Sequence, residues 1–402
     1  QAVLVALSTG SMVLISNSIG AGNRERVNSI AWHAVYLSVA AGVVLSLGSL
    51  FSGQLLGLFF PSSDAFMQSN GSQYLGTIMA GFPAMSIMIV LGATLRGSGD
   101  TRSPMIVAAV ANVLNVFLDY AMIYGKFGFP EMGAFGAALA TVLSRIVGSA
   151  IILLLLFKNS KISMSRKPAR LSRWMTREIF SIGLPTSIEN LGFSTGVLVF
   201  ANILFIAGPQ AYAAHRIGIQ VESLSFMPAW GMGVAITAMV GIYNGANERR
   251  KAIGSVRQGW LIALLISSII GTTITIFPDL FISIFTNESS IVEAGRLPVR
   301  IIGLFQVVMG TDYAVTGALR GMGDTSFPMK SSLVAMWFIR LPVGFLLVKY
   351  FNMGLLGAWI GMMSDMAFRT FLKFRRFYSG KWEKTADAIQ SRSKNLIDNE
   401  SN

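Results

Sequence analysis

Apolar runs long enough to cross a bilayer recur eleven times along the chain, at 1–19, 31–60, 72–95, 104–125, 133–157, 178–207, 210–243, 254–286, 295–319, 328–350 and 353–373. A membrane helix needs about 20 such residues, because in lipid every backbone polar group must be satisfied within its own segment. Period-2 alternation is absent and the runs far exceed the ~10 residues of a barrel strand, so helices rather than strands are expected. Composition points the same way: of 402 residues 53% are hydrophobic and only 13% charged, against about 25% charged in a soluble domain. A soluble enzyme, a collagen-like fibre and a disordered chain are excluded. The expectation is an all-α polytopic membrane protein.

Lys and Arg concentrate in alternate connections. Arg24 and Arg26 follow the first run, Arg96 and Arg102 the third, and Arg249, Arg250 and Lys251 the seventh. Lys158, Lys161, Arg166, Lys167, Arg170, Arg173 and Arg177 follow the fifth; Arg320 and Lys330 follow the ninth; Lys373, Arg375, Arg376, Lys381 and Lys384 follow the last. The even-numbered connections hold almost none. This asymmetry places the odd connections and the C-terminus in the cytoplasm of a multi-pass plasma-membrane protein. It also accounts for the net charge of +13 as topology, with no nucleic-acid partner implied, since the basic residues form no single solvated face.

One long internal duplication is present. Leu95-Arg-Gly-Ser-Gly-Asp-Thr-Arg-Ser-Pro-Met105 returns as Leu319-Arg-Gly-Met-Gly-Asp-Thr-Ser-Phe-Pro-Met329, an offset of 224, and the same offset carries Asn23 onto Asn247 and Arg26 onto Arg250. An even number of spans between copies gives a parallel repeat about an axis along the membrane normal. The first run pairs with the seventh, which leaves 178–207 without a partner. With Gln1 already inside an apolar run, a further helix is expected before it. The reading is two six-helix lobes, with 11 of 12 transmembrane helices present: 1–157, a basic cytoplasmic linker 158–177, a second lobe 178–376 and a polar, flexible cytoplasmic tail 377–402. Two such lobes suit alternating access by rocking, with a site between or within them.

Within the duplicated motif each residue has a structural task. Arg96 and Arg320 complement helix C-terminal dipoles. Gly97, Gly99, Gly321 and Gly323 permit a tight reversal; Asp100, Thr101, Asp324 or Thr325 can cap the next helix, and Pro104 and Pro328 suit its first turn. A phosphate-binding loop would need a GK[ST] ending, which is absent. The LRGSGDTRSPM string, followed by Asn112, Asn115, Leu118-Asp119-Tyr120 and Gly125, resembles the multidrug and toxic compound extrusion (MATE) family. So do the second GDT copy, the GAGNRER turn, and Ala213-Ala-His-Arg leading to Ser223-Leu-Ser-Phe-Met-Pro-Ala-Trp-Gly231. The likeness runs essentially the whole chain in family order, is closer to the prokaryotic DinF-like group than to eukaryotic members, and implies a chain truncated by the family's first helix. That helix carries, in many members, an acidic residue important for coupling. The resemblance further implies a secondary antiporter that expels cationic, amphipathic compounds in exchange for protons or sodium ions.

Ionisable residues inside spans cost about 2.5–3.5 kcal/mol each on insertion scales, so each needs a reason. Asp119 lies roughly 22 Å along the helix from Pro104, and Asn112 and Asn115 stand seven and four residues before it, on one helix face. A carboxylate flanked by amides can take a proton or bind a cation and release one for the other; the alternative is a hydrated interfacial Asp. Its repeat counterparts are apolar (Ile339 and Val343 lie at the equivalent places), so this chemistry belongs to the first lobe alone. Arg145 is a partner for Asp119 or a clamp on backbone carbonyls; Arg340 falls mid-span in the second lobe. Glu189, Glu222 and Asp312 are secondary candidates for coupling, or members of interhelical hydrogen bonds. His215 reads as packing or as a proton relay. Met227, Met232 and Trp230 are candidates for an adaptable cavity lining. With no cysteine and only His33 and His215, no disulfide or zinc site is expected, and no cofactor beyond the coupling ion.

The expected function is efflux of small cationic or amphipathic compounds by H+ or Na+ antiport, by a monomer in contact with membrane lipids. A lipid-linked precursor flippase of the same superfamily would show a central cationic groove, whereas Arg145 and Arg340 are few and scattered. A channel would show a filter segment, and a membrane-embedded enzyme a nucleophile, base or metal cluster. Neither pattern is present.

Overall fold

Each of the eleven apolar runs is helical in the computed structural model, which describes residues 2–61, 64–162, 164–165 and 167–389. Gln1, Arg166 of the basic linker and the tail from 390 lie outside the described residues. The first run is α1 (Ala2–Gly20). The second is α2 (Arg24–Ser46), continued by a 3-10 turn and α3 (Ser52–Phe59), and the third is α4 (Ala65–Ala80) with α5 (Phe82–Gly97). Then come α6 (Arg102–Ile123), α7 (Gly133–Lys158), α8 (Arg173–Ile206) and α9 (Pro209–Gly245). The eighth run is α10 (Arg249–Ile276) plus the short α11 (Pro278–Ser283), and the ninth is α12 (Ser289–Gly321). The tenth comprises α13 (Ser326–Ala335), a π turn Met336–Arg340 and α14 (Leu341–Lys349); the last is α15 (Gly354–Tyr378). Among the described residues eight helices are long and apolar enough to cross a membrane, nine when α4 and α5, bent by 45° at their junction, count as one span. The other two runs form α12 and α15, whose interiors hold Asp312, Asp365, Arg369 and Lys373.

Breaks in the helices have local causes. Pro83 sits in the first turn of α5, where its missing N–H costs nothing, and so ends α4 at the bend. Pro342 stands likewise at the start of α14; the ladder widens just before it into the five-residue π turn, with Leu341 N–H bonded to Met336 C=O. Asn23 caps α2 by accepting from Arg26 N–H at 2.9 Å, and Asp64 caps α4 from Met67 N–H at 2.7 Å.

The chain divides into two compact units, one running to Gly183 and the other from Leu184. The boundary falls inside α8, two residues before Pro185. Within the first unit, Gly10 meets the backbone of Ile179 and Gly183 that of Ala6, so closely that a Cβ at either would overlap it. Glycine here permits backbone-to-backbone packing, the usual route to helix association where lipid removes the hydrophobic drive. Arg26, read above as a topology charge, is instead buried, with its guanidinium 2.7 Å from Glu178 of α8.

The segment after α7 does not hang free. Asn159 Nδ2 donates to Asp100 Oδ2 at 3.2 Å, Ser165 N–H to Asn28 Oδ1 at 2.8 Å, and Ser172 N–H to His33 Nε2 at 2.8 Å. Trp32 and Tyr36 donate to the carbonyls of Ser165 and Ala169. In the second unit the chain after α15 behaves similarly, contrary to the expected flexible tail. Residues 383–389 are helical, Trp382 and Ala386 join an apolar cluster with Met322, Leu319 and Val256, and Arg249 pairs with Glu383 and Asp387.

Candidate functional site

The duplicated motif builds the same turn twice. Gly99 and Gly323 take φ of +83° and +81°, the left-handed region that glycine enters freely. Asp100 N–H then reaches Leu95 C=O at 3.1 Å, and Asp324 N–H reaches Leu319 C=O at 2.8 Å, closing each helix end. The caps of the following helices come from Asp and not from Thr: Asp100 Oδ1 accepts from Ser103 N–H at 3.0 Å, and Asp324 Oδ1 from Phe327 N–H at 3.4 Å. Thr101 and Thr325 make no side-chain cap bond. Gly97 and Gly321 pack on the backbones of Met12 and Thr237. Pro104 and Pro328 are buried in the first turns of α6 and α13. The two arginines differ. Arg320 does more than complement a dipole, since its Nη2 lies 2.8 Å from Glu189 Oε2; Arg96 Nε has no hydrogen-bond partner among the described residues.

In the first unit, α6 carries the predicted trio. Asn112 is exposed, while Asn115 and Asp119 are half-buried one turn apart. Asn115 Nδ2 and Asp119 Oδ1 are each shielded and without a hydrogen-bond partner among the described residues. Such atoms in an apolar medium cost free energy unless something arrives to satisfy them. Arg145 is not brought to Asp119: its Nη1 lies 3.7 Å from Met88 Sδ, and among the described residues it forms no ion pair. Among the described residues it therefore reaches neither Asp119, as a partner would, nor a backbone carbonyl, as a clamp would.

In the second unit the structure assembles what the sequence left scattered. Lys373 Nζ lies 2.9 Å from Asp312 Oδ1, and Thr370 Oγ1 donates to the same oxygen at 3.3 Å. Arg369 stands 3.6 Å from Asp312 and 3.8 Å from Asp365, and Arg340 lies 2.6 Å from Asp365. Asp365, Arg369 and Lys373 recur every four residues on α15, so they share one face of that helix. The face meets Asp312 on α12 and Arg340, which the π turn delivers. Phe193 of α8 presents its ring to both Arg340 and Arg369, at 5.2 and 5.7 Å, a favourable placement for two cations near each other. Glu189 also accepts from Ser332 Oγ at 2.7 Å. Glu189, Glu222, Asp312 and Asp365 thus stand against Arg320, Arg340, Arg369 and Lys373. Glu222 alone of the four acids makes no hydrogen bond or ion pair among the described residues; Arg340 and Arg369 are the cations nearest in effect.

Lys373 was read from sequence as a charge beyond the last span. It is instead 1% exposed, inside the network. Asp365 and Arg369 are functional candidates that only the structure brings out, although their four-residue spacing with Lys373 in an apolar run is a usable signal. His215 is packed: Trp359 Nε1 donates to its Nδ1 at 3.1 Å, beside Phe200. Met227 and Trp230 are exposed and Met232 half-buried on α9. No group of three or more His, Cys, Asp or Glu arranged to hold a metal occurs among the described residues.

An all-helical bundle of bilayer-length spans, with a duplicated motif and ionisable groups gathered within its helices, defines a membrane transporter. The chain matches the MatE family over residues 1–121 and 185–346. It is 51% identical to the probable multidrug resistance protein NorM of Thermotoga maritima, over 98% of this chain and 85% of that protein. It is 27% identical to the probable multidrug resistance protein YoeA of Bacillus subtilis, over 94% of this chain and 82% of that one. Among solved structures it superposes on a MATE protein in a bent conformation with TM-score 0.86 at 22% identity, covering 98% of this chain and 85% of the other. The protein belongs to the MatE family of transporters and is not an enzyme.

Proposed function

We propose that the protein exports small cationic or amphipathic compounds, in exchange for H+ or Na+, across the plasma membrane. The odd-numbered connections and the C-terminus face the cytoplasm, and the monomer, surrounded by lipid, is the working unit of two lobes, 1–157 and 178–376, joined by 158–177. The observation that carries this reading is the pair of shielded, unpartnered polar atoms on α6, Asn115 Nδ2 and Asp119 Oδ1. An arriving cation or proton would satisfy the carboxylate, and a substrate acceptor the amide, with Asn112 extending the same face. Names of the relatives, which speak of multidrug resistance, support the substrate class.

Glu189, Glu222 and Asp312 supply the second element of coupling. Since Glu189 and Asp312 already hold fixed cations, a mobile ion competes with a side chain there but not at Glu222. A bound ion at Glu222 would repel Arg340 and Arg369 and so bias the whole network, which is the form that coupling between sites must take. In proteoliposomes, uptake of a cationic dye should follow an imposed proton or sodium gradient. Asp119→Asn should abolish that dependence; gradient-driven uptake undiminished in the variant refutes the assignment.

A further inference from the structure

We infer that each unit carries a strap that locks its motif turn, and that Asp100 and Asp324 are positioning residues in this lock. The motif turns occupy equivalent places in the repeat, and so do the segments that cover them. At the offset of 224, Asp100 corresponds to Asp324, Trp32 to Val256 and Ile162 to Ala386. Ile162 and Ala386 are both fully buried, although each lies past the end of a long apolar helix, α7 or α15, where a following segment has no need to be covered. Trp32 touches the first strap through Ser165, and Val256 shares the apolar cluster of the second with Ala386 and Trp382.

In both units the motif Asp divides its two oxygens in the same way. Oδ1 caps the helix that follows the turn. Oδ2 reaches the last turn of a long apolar helix or the residue just past it: Asn159 Nδ2, following α7, at 3.2 Å in the first unit, and Arg376 Nε, in α15, at 2.9 Å in the second. Each motif Asp therefore ties three things together: the helix before the turn through its backbone N–H, the helix after it through Oδ1, and the end of α7 or α15 through Oδ2. A cap alone would be served by Thr101 or Thr325, and neither is used. The partners differ chemically while the geometry repeats, which is the mark of a shared mechanical task. The first strap is held mainly by polar contacts to its backbone. The second is held by Trp382, Ala386 and Ile389, the last of which lies against Gly323, and by Arg249 with Glu383 and Asp387. Each strap stays closed while the transporter works, keeping these helix ends moving as one body.

The full-length protein with Met322→Cys, the chain being otherwise free of cysteine, tests this by its rate of labelling with a polar maleimide. Met322 is fully buried, so labelling should be slow. Adding Trp382→Ala should speed it by about a hundredfold, the scale of removing a buried tryptophan side chain. Asp324→Asn keeps Trp382 but removes the charge facing Arg376, and should speed labelling as well. Asp100→Asn leaves one acceptor oxygen where Ser103 N–H and Asn159 Nδ2 use two, so one of the bonds is lost and labelling of Ile162→Cys should speed up; an unchanged rate would overturn the role of Asp100. Equal labelling of Met322→Cys with and without Trp382→Ala or Asp324→Asn would overturn the lock. Oxidative cross-linking of Asn28→Cys to Ser165→Cys should leave dye transport within about twofold of the unlinked pair, a change too small to signal a blocked step. Transport lost on cross-linking and regained on reduction would overturn permanent closure. The labelling results stand whatever the protein transports.

Discussion

Lys373 donates to Asp312 across 2.9 Å in a place that leaves the lysine 1% and the aspartate 4% exposed. Removing one member of such a pair strands the other charge, which costs about 3–5 kcal/mol, whereas replacing both with apolar residues of similar volume is nearly neutral. Asp312→Asn should lower the thermal unfolding midpoint in detergent markedly, and Asp312→Leu with Lys373→Met should recover most of it. A double variant no more stable than the single would mean that the pairing is not what the structure needs from these residues.

Glu222 and Glu189 should separate stability from coupling. Glu189→Gln deprives Arg320 of its partner and should destabilise by about 2–3 kcal/mol. Glu222→Gln breaks no bond, and its cost should stay within about 1 kcal/mol. Its effect should be on the dependence of dye uptake on proton or sodium gradient, read in the same proteoliposomes. Unchanged gradient dependence in Glu222→Gln removes this residue from coupling.

Arg26 and Arg250 are related by the repeat yet sit in opposite settings. Arg26 and Glu178 have side chains 3% exposed each, while Arg250 is exposed. Arg26→Gln should cost about 3–5 kcal/mol and Arg250→Gln within about 0.5 kcal/mol, both measured by chemical or thermal unfolding. Equal effects at the two positions would contradict the asymmetry.

Gly317 packs its Cα against the backbone of Gly233, where an added Cβ would overlap the carbonyl. Gly317→Ala should therefore destabilise by about 1–3 kcal/mol, even though alanine is the better helix former. Stabilisation by Gly317→Ala would show that α9 and α12 are less closely apposed than described.

The spans, the repeat and the family could be read from sequence because each is a one-dimensional pattern: apolar run length, alternating charge, a string repeated at a constant offset. Even the left-handed glycines followed from the motif. What could not be read was which charges meet. Lys373 looked like a flanking residue because it begins a basic stretch with Arg375 and Arg376. Its burial depends on α15 turning one face toward Asp312, and no local pattern encodes that. Arg145 failed in the opposite sense: adjacency of α6 and α7 made pairing with Asp119 reasonable, but helix rotation sends its guanidinium to Met88. The docked residues 379–389 were missed because Trp382, Ala386 and Ile389 are diluted among Lys, Glu and Asp, so composition reads the segment as solvated.

The order in which the chain is made gives the straps a further consequence. Each lies C-terminal to the helices it fastens, so it leaves the ribosome after all of them. The contacts of residues 159–172 are complete in sequence before any residue of the second unit exists. A strap of this kind acts as a check on assembly: it finds its place only when the helix beginning at Arg24 and the turn at Asp100 already stand side by side. The second, built from Trp382 to Ile389, applies the same check to the helices of the second unit.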